Sequence, residues 1–123
     1  MGVGRFEDLE IWKLSREMVK SIYKITANIK DYGFVNQIQK SSISIMSNIA
    51  EGFERRGNKE FIHFLYIAKG SCGELRSQLY IGLDLDYITE DDFQNNLRLA
   101  ERTSKSITAL IKYLNSYNSN QKT

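Results

Sequence analysis

Apolar residues recur every three or four positions in four separate stretches of the chain, and this constrains the fold more than any other feature. The first stretch carries Ile11, Leu14, Met18, Ile22, Ile25 and Ile29. The second carries Val35, Ile38, Ser42, Ile45, Ile49 and Phe53, and the third Phe61, Leu65, Ala68, Cys72, Leu75 and Leu79. The fourth carries Phe93, Leu97, Ala100, Ser104, Ile107, Ile111 and Leu114. Such spacing lines one face of an α-helix, and no stretch keeps the period-two alternation of a half-buried strand. The 123 residues include no proline, where average usage of about 5% would give roughly six. Without proline nothing forces a helix to break.

The stripes predict helices over about 6–29, 34–55, 58–83 and 89–117, with a disordered tail over 118–123. Gly33 and Gly57 read as stop signals, Asn58 as the cap of the third helix, and Thr89 with Asp92 as the cap of the fourth. Short connections make neighbours antiparallel. The expected architecture is therefore all-α, a single-domain up-down-up-down four-helix bundle.

Two helices have charged backs. Lys13, Arg16, Lys20 and Lys24 stand opposite the first stripe, and Arg98, Arg102, Lys105 and Lys112 opposite the fourth. As neighbours in a bundle, these helices could merge their basic residues into one phosphate-binding surface. The plainer reading is two solvated helix backs, because acids interleave with the bases and the net charge is only +2. The third helix is apolar nearly all round, with Ile62, Tyr66, Ile67, Gly70, Tyr80 and Ile81 opposite its core stripe. The back of the second is small or apolar, with Ile43, Ser44, Ser47, Asn48 and Ala50. One bundle covers only one side of a helix, so these outer faces are expected to meet another copy of the chain. Gly70 and Gly73 read as room for that approach.

Catalytic and metal chemistry is sparse. Glu51 and Glu74 suggest a carboxylate-bridged metal site, but that site needs inward carboxylates and two Glu-x-x-His pairs, and a chain with one histidine cannot supply two. A small metal-binding or catalytic bundle is the rival reading. Both glutamates are expected on the self-contact, accepting hydrogen bonds from nearby serines, Asn48 or an arginine. The only histidine, His63, reads as a solvated or interface residue, and the only cysteine, Cys72, as a small buried hydrophobe. No cofactor is expected. No apolar run reaches a membrane span, the N-terminus lacks a signal-peptide core, and a reduced cytoplasmic setting is the expectation.

Several blocks together resemble a known family. They are Ser42-Ile43-Ser44-Ile45-Met46-Ser47-Asn48-Ile49-Ala50-Glu51-Gly52, Phe6-Glu7-Asp8-Leu9 with Trp12, Lys59-Glu60-Phe61 with Phe64-Leu65, and Ile67-Ala68-Lys69-Gly70-Ser71-Cys72-Gly73-Glu74-Leu75. Over about residues 6–114 the chain is similar to the bacterial four-helix bundle proteins encoded in intervening sequences of 23S rRNA genes. Met46 stands where that family usually has proline, so the second helix is expected to be straighter. The resemblance implies a homo-oligomer, a ring of five, and does not imply an enzyme. It extends to accessory proteins of diversity-generating retroelements, which implies RNA or a nucleic-acid-processing enzyme as a partner.

Overall fold

The structure is a computed structural model that describes residues 4–121, with side chains to Tyr117 at the C-terminal end. Its elements are a 3-10 turn over Phe6–Asp8, α1 (Glu10–Ile25), α2 (Tyr32–Glu54), α3 (Gly57–Asp84) and α4 (Glu90–Gln121). Each helix packs on its neighbours in sequence, and α4 closes the ring against α1. Cross-helix bonds fix antiparallel register: Ser21 to Asn96 at 2.6 Å and Arg102 to Glu10 at 3.2 Å join α1 and α4. Ser44 and Ser71 join α2 and α3 at 2.9 Å, and Tyr80 packs edge-on against Phe93 of α4 at 4.9 Å. The up-down-up-down bundle expected from the stripes is the fold observed.

The core is built from the stripes. Met18, Ile22, Ile38, Ile45, Ile49, Leu65, Leu75, Leu79 and Ile107 are completely buried, each worth about 1.5–3 kcal/mol relative to exposure. Phe53 and Leu97 pack against this core partly buried.

The helix ends depart from expectation in four places. First, α1 begins at Glu10, because Leu9 is extended at its N-cap. It also ends at Ile25. Thr26 is its C-cap, with the N–H and the hydroxyl (2.7 Å) both donating to the Ile22 carbonyl, and the chain leaves the helix after it. Ile29 therefore reaches the core from a loop. Second, Gly33 lies inside α2. The Asp31 carboxylate accepts the Phe34 N–H at 3.2 Å and starts the helix before the glycine. Third, Asn58 is not the cap of α3. Arg56 occupies that position, and Gly57 takes a φ of +76°, the left-handed conformation glycine adopts without penalty. Fourth, the tail expected from residue 118 is helical through Gln121, as the stretch after Leu114 has neither glycine nor proline to stop it. The last two residues of that expected tail lie outside the described residues. The Thr89 cap is as expected: its hydroxyl accepts the Asp92 N–H at 3.1 Å.

The two loops at one end of the bundle are tied together. The Tyr87 hydroxyl donates to Asp31 at 2.8 Å, and the Tyr87 ring packs edge-on against Phe34 at 5.2 Å. Asp31 thus caps α2 with one oxygen and holds the α3–α4 loop with the other.

Candidate interaction surfaces

The outer face of α2 and α3 carries five of the ten large apolar side chains exposed among the described residues. Tyr66, Tyr80 and Ile81 are 55%, 52% and 45% exposed, and Ile43 and Ile67 are 40% exposed. Gly70, Ser47, Glu51 and Glu74 are exposed beside them. Three residues expected on this face are drawn inward. Ile62 is partly buried against the intramolecular core, because Ile62 lies on the flank of α3 that turns toward α4. Asn48 is half-buried, and its amide donates to the Ser44 carbonyl at 2.8 Å and hydroxyl at 3.1 Å. Those donors are spent inside the chain. Ser44 likewise faces α3 through its bond to Ser71.

The two glutamates differ. Glu51 accepts a hydrogen bond from Arg55 at 2.8 Å, one turn further on. The bond raises the Arg55 guanidinium above its ordinary pKa, and Arg55 also lies over the Phe64 ring at 5.0 Å. Glu74 is exposed and lines a polar pit of about 140 Å³ with Gln37, Lys40, Ser41 and Ser44. The structure thus brings the two carboxylates to one face without bringing them together. Among the described residues no group of three histidine, cysteine or carboxylate side chains could hold a metal. Burial pushes the Cys72 thiol up to about 12, so at neutral pH it is protonated and unreactive. His63 is exposed, edge-on to Phe64. No helix among the described residues is long and apolar enough to cross a membrane.

The basic residues of α1 and α4 stand where the helical wheel places them. Lys13, Arg16, Lys20, Lys24, Arg98, Arg102, Lys105 and Lys112 are all exposed. They are not equally free. Arg102 pairs with Glu10 across the helices, Arg98 donates to Asn95 at 2.6 Å, and Arg16 lies 5.7 Å from the Trp12 ring centre. Arg98, Arg102 and Lys105 line a depression of about 470 Å³ with Glu101 and Ser106. A second depression of about 340 Å³, more apolar, lies between α1 and α4 and includes Leu9, Ile11, Leu110 and Tyr113. Sequence reasoning missed this groove. Its signal was Tyr113 on the α1 side of α4, with the small residues Ala109 one turn and Ser106 two turns before it.

Two comparisons bear on these surfaces. The model of the 23S rRNA-intervening sequence protein family matches residues 7–109. A crystal structure of a protein of unknown function from the S23 ribosomal protein family of Bacteroides thetaiotaomicron is similar, with a TM-score of 0.78 at 26% identity, covering 83% of this chain and 98% of that one. A comparison with curated proteins finds no match.

Proposed function

This chain belongs to the 23S rRNA-intervening sequence protein family, and from that premise we propose that it is a non-enzymatic, self-assembling helical scaffold. The outer face of α2 and α3 joins copies of the chain. The basic back of α1 and α4 is left outward for an anionic partner, RNA or a protein that processes nucleic acid. The observation that carries this reading is the row of half-exposed Tyr66, Ile67, Tyr80 and Ile81 along one helix, with Ile43 on the next. An apolar surface of that extent on a small bundle marks an interaction site. Ser47 and Gly70 add little bulk, so a second backbone can come close. A ring of five is the stoichiometry the family resemblance leads us to expect.

The test is Tyr66→Glu or Ile67→Glu. Both side chains are exposed in the single chain, so a carboxylate there costs the bundle little. In a contact between copies it would be buried without a partner, which costs several kcal/mol. Light scattering should show smaller species with helicity by circular dichroism retained. An unchanged oligomer in both variants would place the contact elsewhere.

A further inference from the structure

We propose that the groove between α1 and α4 docks an acidic amphipathic helix of a partner protein. The proposal rests on the basic back as the partner-binding side and names the partner's class. Leu9 and Ile11 form a buried floor, at 6% and 4% exposure, and Ala109, Leu110 and Tyr113 form the wall. The volume of about 340 Å³ suits a few apolar anchors. Ser106 lines both this groove and the basic depression of Arg98, Arg102 and Lys105, so the two are continuous.

The charge at the junction is exchangeable. Glu10 lines the apolar groove and pairs with Arg102, and both side chains are 65% exposed. Exposed ion pairs of this kind contribute little, so a partner carboxylate can take the place of Glu10 on Arg102. Glu101 is the one acid in the basic depression. From Arg98 to Tyr113 the strip spans sixteen residues of α4, roughly 22 Å at the helical rise. That matches about four turns of a docked helix, with apolar anchors at three- and four-residue spacing and acids on the flank. RNA fits less well, since the floor is aliphatic and Tyr113 alone offers a stacking surface.

The experiment uses three probes on the intact chain at low salt, read by fluorescence anisotropy. They are a synthetic amphipathic helix of about five turns with Leu and Phe anchors and Glu flanks, the same peptide with Lys flanks, and oligouridine. The Glu peptide should bind, the Lys peptide should not, and Ala109→Glu with Lys105→Glu should weaken binding by about tenfold or more. Both positions are exposed, so the variant keeps its fold, which circular dichroism verifies. Equal binding of the two peptides, or undiminished binding to the variant, overturns the proposal. Oligouridine binding without peptide binding overturns the docked helix and leaves the basic back as a partner site. Binding of none of the three overturns both.

Discussion

Gly52 shows how closely α2 and α3 approach. A Cβ built there would lie 2.6 Å from the Cβ of Phe64 and 3.1 Å from the Phe61 ring. Gly52→Ala should therefore destabilise the chain by about 1–3 kcal/mol through overpacking, measured by urea unfolding. Asp31 and Tyr87 act through charge instead. Folding holds the Asp31 carboxyl below its ordinary value, chiefly because the Tyr87 hydroxyl donates to it and then because the Phe34 N–H does. That stabilisation is present above the unfolded carboxylate pKa, about 4, and is lost as the pH falls through the folded value. The Tyr87 phenol is raised, chiefly by the same bond. Its stabilisation is full below about pH 10 and is lost as the pH rises through the folded value. Tyr87→Phe keeps the ring on Phe34 and removes the bond. Its thermal midpoint should lie below that of the wild type near neutral pH, with the gap narrowing as the pH falls through the folded Asp31 value. A gap constant across that range would deny the Asp31 link its role.

At the scale of elements, α3 is the informative helix. Gly70 is exposed, and a Cβ added there would meet no atom within 4 Å, so within one chain its glycine only costs helix propensity. Gly70→Ala should raise the stability of the monomeric fold by up to about 1 kcal/mol, yet weaken association if copies meet there. Denaturation and dilution series on one sample separate the two effects. Helix existence was legible because each stripe repeats over five or more turns of pattern, and burial follows it residue by residue at Met18, Ile45, Leu75 and Ile107. Helix ends were less legible because they depend on single polar bonds. Asp31 starts α2 ahead of Gly33 by accepting the Phe34 N–H. The faces of α2 and α3 were legible as outward. Which of their residues turn into the helix–helix seam was not, since Ser44, Asn48 and Ile62 lie on flanks that only the neighbouring helix defines.

At the scale of the molecule, the bundle has two unlike sides: an apolar face on α2 and α3, and a basic back on α1 and α4. If the back binds RNA, affinity should come mainly from counterion release and fall steeply with salt. Lys20→Glu with Lys105→Glu should abolish that binding and leave the assembly intact, as a salt titration against a generic RNA would register. Arg102 is a poorer choice for reversal, because Glu10 already pairs with it. The eight bases were legible as a surface from the helical wheel. Their inequality was not, because Glu10 meets Arg102 only once the chain has folded. The central proposal is that the opposite face is covered by other copies. The most direct measurement of that claim is the molar mass of the wild-type chain across a dilution series, by sedimentation equilibrium. The account predicts a discrete whole-number multiple of 14.2 kDa. A single species of 14.2 kDa at every concentration would contradict it.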